Sequence, residues 1–241
     1  MLPSASELLT AWEHGLAAPA GRRALELARL ARPELVDAER EALTAGERDA
    51  ALLGLRERLF GSRLDAVLPC AGCGETLELA PTVAELRTGS GVPAEPGTLA
   101  HAGYEVSFRQ PTALDLAEIA DEPDLERARE ALLGRCVLGA VADGRPVDAG
   151  GLPGEVVAAL DAELAAADPQ ADLELAVECP ACGEASTTRF DVASFLWSEL
   201  ERHALGTLRE IHVLASAYGW SESQILELGP RRRLYLELVE G

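Results

Sequence analysis

Four cysteines in two tight pairs carry the strongest chemical signal in this chain: Cys70-Ala71-Gly72-Cys73-Gly74 and Cys179-Pro180-Ala181-Cys182-Gly183. A C-x-x-C turn presents two thiolates on one knuckle, and a tetrahedral Zn²⁺ takes four. Two knuckles complete the shell without any other residue type. The glycine after each pair suits the positive φ that such a turn needs. If the knuckles meet, Cys70, Cys73, Cys179 and Cys182 hold one Zn²⁺, and residues 74–178 form an excursion clipped at its base. Four thiolates leave no open coordination position, so the expected metal is structural and not catalytic.

The spacing is long for a zinc ribbon, whose knuckles ordinarily stand roughly 15–20 residues apart. Distance alone does not forbid convergence, since each doubling of a loop costs only about 0.6 kcal/mol in closure entropy. The rival chemistry is thiol oxidoreduction. A reactive C-x-x-C sits at a helix N-terminus, where the dipole lowers the thiol pKa. Here each pair is followed by glycine and then by a strand-like stretch. The fifth cysteine, Cys136, falls on an apolar helical face and reads as a small core residue. His14, His101, His203 and His212 form no H-x-x-x-H or H-E-x-x-H pattern, and no G-x-S-x-G, Walker A or G-x-G-x-x-G motif occurs. No residue constellation points to an enzyme.

The elements that must position the knuckles follow from periodicity. Ser4-Ala5-Ser6-Glu7 is a capping box, and Leu8, Trp12 and Leu16 recur on one helical face. A second helix runs through Leu25, Leu27 and Leu30 and stops near Pro33. A third spans about Glu47 to Phe60, burying Leu52, Leu55 and Leu59 and leaving Arg56 and Arg58 to solvent. After the first knuckle, Thr76 to Leu79 is a strand and Val83 to Leu86 a short helix, with a flexible loop over 88–98. Tyr104, Val106 and Phe108 alternate as a half-buried strand. An acidic helix over Ala113 to Ala120 follows, then one carrying Leu125, Leu132 and Cys136, and one from Pro153 burying Val156, Val157, Leu160 and Leu164. Leu173, Leu175 and Val177 form a strand into Cys179, and Ser186 to Phe190 a strand after it. Both halves thus read knuckle, strand, helix, an internal repeat. Asp191 caps a long helix with a stripe from Val192 to Tyr218. Gly219 stops it, and Ser221-Glu222-Ser223-Gln224 opens the next. Arg231-Arg232-Arg233 begins the last.

Net charge is −20 over 241 residues, and no lysine occurs. That balance argues against a general nucleic-acid binder and disfavours an anionic membrane surface. No apolar run reaches the roughly 20 residues of a membrane span. The opening Met1-Leu2-Pro3-Ser4 lacks the basic and apolar stretches of an export signal, so a cytoplasmic location is expected. Most of the tryptophan and tyrosine lies in the C-terminal third, as Trp197, Tyr218, Trp220 and Tyr235. With Arg231, Arg232 and Arg233 they mark an expected partner-binding surface, because aromatic and arginine side chains anchor interfaces.

The runs Ser194-Phe-Leu-Trp-Ser-Glu-Leu200, Arg209-Glu-Ile-His-Val-Leu-Ala-Ser-Ala-Tyr-Gly-Trp-Ser221 and Arg231-Arg-Arg-Leu-Tyr-Leu-Glu-Leu238 resemble a known family. They are similar to baseplate proteins of contractile phage tails and phage-tail-like injection systems, related to the T-even phage baseplate hub assembly chaperones. Ile211 to Leu238 carries most of the likeness, and the knuckles are similar to those of injection-system members. The resemblance implies a non-enzymatic role in building the baseplate or hub. The implied partners are baseplate, hub or spike proteins, bound either as an assembly chaperone or as a component carried into the particle.

The expected fold is α+β and mostly helical. A helical unit at 1–62 leads into a split four-cysteine zinc ribbon at 63–110 and 170–192. A long helical insertion at 111–169 divides the ribbon, and a helical arm at 193–241 follows it. A zinc-ribbon adaptor of a transcription or other cytoplasmic complex is the alternative, with a C-x-x-C thiol oxidoreductase behind it.

Overall fold

The structure, a computed structural model, describes residues 2–88, 96–229 and 231–240. Helix α1 (Ala5–Ala17) opens on the expected capping box: the Glu7 N–H donates to Ser4 Oγ at 3.2 Å and the Ser4 N–H to the Glu7 carboxylate at 2.7 Å. Leu8 and Trp12 enter the core, whereas Leu16 is 46% exposed. The last turn buries Gly15 instead, because the Trp197 ring closes on it and leaves no room for a Cβ. Next come α2 (Arg23–Ala31), α3 (Asp37–Glu41) and α4 (Ala45–Phe60). Leu52, Leu53 and Leu55 of α4 are fully buried. Arg56, expected to face solvent, is only 3% exposed, because a carboxylate 143 residues further on meets it inside the core.

The first hairpin pairs β1 (Ala66–Pro69) with β2 (Thr76–Leu79), antiparallel around the first knuckle, and leads to α5 (Val83–Leu86). The excursion then carries β3 (Gly97–His101), β4 (Tyr104–Phe108), α6 (Ala113–Ile119), α7 (Leu125–Cys136), β5 (Val137–Ala142), β6 (Arg145–Val147) and α8 (Gly154–Ala167). Its strands form an antiparallel sheet in the order β3-β4-β5-β6. The insertion expected to be helical therefore contains sheet as well. Val137 to Ala142 is a short apolar run without alternation, which periodicity does not separate from helix. Most of the loop expected over 88–98 lies outside the described residues, and its end, from Gly97, is strand β3. Helix α8 covers one face of the sheet, where Val156 and Leu160 meet Val106 and Ala140. Cys136 is buried as expected, while Leu125 at the start of α7 is 82% exposed.

The second hairpin pairs β7 (Glu174–Glu178) with β8 (Ala185–Arg189) and passes into α9 (Val192–Tyr218). The Ser194 N–H donates to Asp191 Oδ1 at 3.0 Å, and Gly219 ends the helix at φ +68°. Helices α10 (Glu222–Glu227) and α11 (Arg231–Glu240) turn back onto α9. Leu27, Leu52, Leu55, Leu196, Leu200, Leu214 and Ile225 share one core, so the first helices and the last are packed together.

Helix α4 is held at both ends by one device. At its start Thr44 bridges Thr112, with Ala45 N–H to Pro111 O at 3.0 Å and Ala113 N–H to Leu43 O at 2.8 Å. Past its end Arg63 bridges Thr82, with Leu64 N–H to Pro81 O and Val83 N–H to Ser62 O, both at 2.8 Å. Thr82 and Thr112 each then cap the helix that follows, as Pro-Thr-x-x-acid boxes. A third hold comes from the end of the excursion. The buried Asp168 accepts the Gly46 N–H at 2.8 Å, and the buried Gln170 donates to Leu86 O at 3.2 Å.

Candidate metal centre

Each knuckle is closed by the same backbone turn. Gly74 N–H donates to Cys70 O at 2.9 Å and Cys70 N–H to Glu75 O at 2.8 Å. In the second knuckle Gly183 N–H donates to Cys179 O at 2.8 Å and Cys179 N–H to Glu184 O at 2.9 Å. Gly74 and Gly183 sit at φ +76° and +74°, the left-handed conformation that glycine adopts without strain. Below the turns Leu77 and Val177 are buried against Cys70 and Cys179, with Leu68, Leu79 and Leu175 packed alongside. This apolar layer joins the two hairpins and sets the knuckles face to face. Cys73 and Cys182 are exposed at the rim.

The first cysteine of each knuckle meets the second of the other. Cys70 Sγ lies 3.7 Å from Cys182 Sγ, and Cys73 Sγ lies 3.7 Å from Cys179 Sγ. All four sulfurs lie within 4.8 Å of one another. A disulfide would bring two sulfurs to about 2.05 Å. Metal–sulfur bonds of about 2.3 Å in a tetrahedron separate the sulfurs by about 3.8 Å. The set has the donor chemistry and the spacing to hold a metal ion. Charge argues the same way. The N–H groups of Cys73 and Gly72 hold the Cys70 thiol down to about 7. The Glu75 N–H favours the Cys73 thiolate, yet the neighbouring thiols of Cys179 and Cys70 raise it overall. At Cys182 the Glu184 N–H also favours the thiolate, but Cys73 and Cys179 push the thiol up to about 12. Four adjacent sulfurs do not all ionise unless a cation compensates them.

The expected partner surface divides. Tyr218, Trp220 and Tyr235 come together, with Tyr218 stacked on Trp220 at 4.6 Å and Trp220 edge-on to Tyr235 at 5.0 Å. Arg231 and Arg233 are exposed, whereas Arg232 makes a close ionic contact with Glu210 at 2.6 Å. Trp197 stands apart from this cluster. It is buried against Gly15 beneath the Arg23 guanidinium, because its helix face points at α1. His203 packs edge-on to Phe60, and burial lowers its pKa. Sequence reasoning missed two charged pairs, Arg56 with Glu199 and Arg109 with Asp115. The second was within reach, since Thr112-x-x-Asp115 is a capping pattern that aims Asp115 inward. No described helix is long and apolar enough to cross a membrane.

The pattern of the family described as T4 bacteriophage base plate protein matches residues 32–197. The matched span takes in both knuckles, the sheet between them and the first turns of α9. The runs around 209–238, on which most of the resemblance rests, lie beyond it. Comparison with curated proteins and with solved structures found no match. With well over half of its length matched, and both cysteine knuckles inside that span, the chain belongs to the T4 bacteriophage base plate protein family.

Proposed function

We propose that this chain is a non-enzymatic assembly protein of the baseplate or hub in a contractile, phage-tail-like injection system. Cys70, Cys73, Cys179 and Cys182 hold one structural Zn²⁺, which suits a soft four-thiolate shell with no open position. The ion ties together two hairpins, each too short to be stable alone. The same reading divides the chain into a helical unit at 1–62, a split ribbon at 63–110 and 170–192, an insertion at 111–169 and an arm at 193–241. The arm offers Tyr218, Trp220, Tyr235, Arg231 and Arg233 to a hub or spike protein. The chain works in the cytoplasm as an assembly chaperone or is carried into the particle. The supporting observation is that thiols 112 and 106 residues apart converge inside the span matched by the baseplate family.

Co-expression with the hub and spike proteins of the same particle, followed by affinity capture, tests the role. Recovery of either one, weakened by Trp220→Ala with the fold intact, supports it. Capture of neither overturns it. Elemental analysis of the same preparation tests the ion: about one zinc per chain, lost in Cys73→Ser, is expected. A metal-free protein with a reversible dithiol would identify an oxidoreductase instead.

A further inference from the structure

A cavity of about 430 Å³ opens where α2, α4, α6 and the start of α9 meet, and neither the metal centre nor the C-terminal aromatic cluster touches it. Arg23, Arg48, Leu116, Asp191, Ser194 and Trp197 are among its walls. Three groups of hydrogen-bond donors converge there. Arg48 is only 9% exposed, and its Nε donates to Asp49 Oδ1 at 2.8 Å. Its two terminal nitrogens have no partner among the described residues. Arg23 lies over Trp197, with Cζ 4.9 Å from the ring centroid. Its Nε reaches Gly15 O at 3.3 Å, and its terminal nitrogens also have no partner among the described residues. The third group is the first turn of the 27-residue α9, where the N–H of Ala193, on the cavity wall, likewise has no partner among the described residues.

The acidic groups nearby are already engaged. Asp191, on the wall, receives the Ser194 N–H at 3.0 Å and the Ser194 hydroxyl at 2.6 Å, one on each oxygen. Asp49 is held by Arg48, and Asp168 by the Gly46 N–H. A buried guanidinium with open N–H groups, a second beside it and a long helix N-terminus together favour an oxyanion, and paired guanidinium donors suit a carboxylate. The apolar surface of Leu116, Ala120 and Trp197 suits the hydrocarbon next to that carboxylate. The net charge of −20 repels polyanions, so the spot admits a single carboxylate more readily than a nucleic-acid backbone.

We propose that this cavity binds a single carboxylate, flanked by apolar side chains, on a peptide segment of a partner protein, gripped by Arg48 and Arg23. The segment would touch the first helices, the insertion through Leu116 and Ala120, and the exit of the second hairpin at once. It would dock all three on one partner.

The chain has three tryptophans, Trp12, Trp197 and Trp220, so its indole N–H signals in ¹H–¹⁵N spectra are few and assignable. The probes are the peptide acetyl-Leu-Asp and inorganic phosphate, each titrated into the full chain at constant ionic strength. The expected result is a saturable shift of the Trp197 signal with the peptide in the millimolar range, with the Trp12 and Trp220 signals unmoved. Arg48→Gln should weaken the peptide at least tenfold. Should that variant not fold, the exposed rim variant Ser198→Glu carries the test, since its carboxylate fills the site from within and should abolish the shift. No saturable shift at Trp197, or an undiminished one in Ser198→Glu, overturns the proposal. Tighter binding of phosphate than of the peptide overturns the peptide source and assigns the site to a phosphate group.

Discussion

At Arg56 a guanidinium lies among leucines, and its Nε and terminal donors meet the Glu199 carboxylate at 2.9 and 2.8 Å. A third donor reaches Gly61 O at 2.7 Å. Removing one partner of a buried pair leaves an uncompensated charge, so Glu199→Gln should cost about 3–5 kcal/mol in urea unfolding. The double replacement Arg56→Met with Glu199→Leu should recover most of that loss. A double variant no more stable than the single one would contradict this account. Asp115 adds a pH dependence. Burial raises its pKa, but the Arg109 hydrogen bonds and the Thr112 cap outweigh it and hold the carboxyl below the usual range. The folded chain therefore binds this proton less readily than the unfolded chain. The stabilisation is present above the ordinary aspartate pKa of about 3.9 and is lost as pH falls through the lower folded value. Asp115→Asn should lower Tm at pH 7, and its difference from the unsubstituted chain should shrink below about pH 4. Cys70, Gly74 and the Ser4 box were legible in the sequence because their turns and caps are made by neighbours. Arg56 was not, because its partner arrives from 143 residues away.

Helix α4 is the element on which the others register. Its start is bridged to Pro111–Ala113, the stretch past its end to Pro81–Val83, and its first turn receives Asp168 from the far end of the excursion. Gly46 makes the last hold possible, since a Cβ there would overlap the Asp168 carboxylate. Gly46→Ala should therefore destabilise the fold by at least about 1–3 kcal/mol, the usual cost of overpacking, although alanine is the better helix former. Asp168→Gly in the same chain should relieve part of it, as Tm measurements on the two variants can show. The helices other than α3, and the strands β2, β4, β7 and β8, were legible from caps and alternation; the five-residue α3, with no buried residue, left no apolar stripe to read. Strands β1, β3, β5 and β6 were not. Gly97-Thr-Leu-Ala-His101 is built from small and polar residues, and Arg145-Pro146-Val147 becomes a strand only because β5 lies beside it. Such strands are set by their neighbours in the sheet more than by local pattern.

Across the whole molecule, two of the packed centres tie together parts of the chain that are far apart in sequence. The leucine core joins the first helices to the last, and the thiol cluster joins the two cysteine hairpins on its small apolar layer. Chelation should therefore act regionally. We expect hydrogen exchange after metal removal to rise in 66–79 and 174–189, with α4 and α9 still protected, and helical circular dichroism largely kept. Uniform loss of protection would mean that the cluster and the leucine core unfold as one unit. The site itself was legible as composition, since four cysteines in two like turns announce a shell. That the turns would meet was not, because convergence depends on Leu77 packing with Val177, far along the chain.

The threefold hold on α4 also bears on the order in which the chain is made. During synthesis α4 emerges first, and its fastenings follow one by one: Thr82, then Thr112, then Asp168, and last Glu199 for Arg56. Until residue 199 has left the ribosome, this helix carries a buried-type guanidinium with no counter-charge and a leucine face covered only in part, by the helices made before it. The nascent protein must spend most of its synthesis with its central helix unfinished. A ribosome-bound chain cut short before Glu199 is thus a distinct, sticky species, and the one most in need of a holding factor.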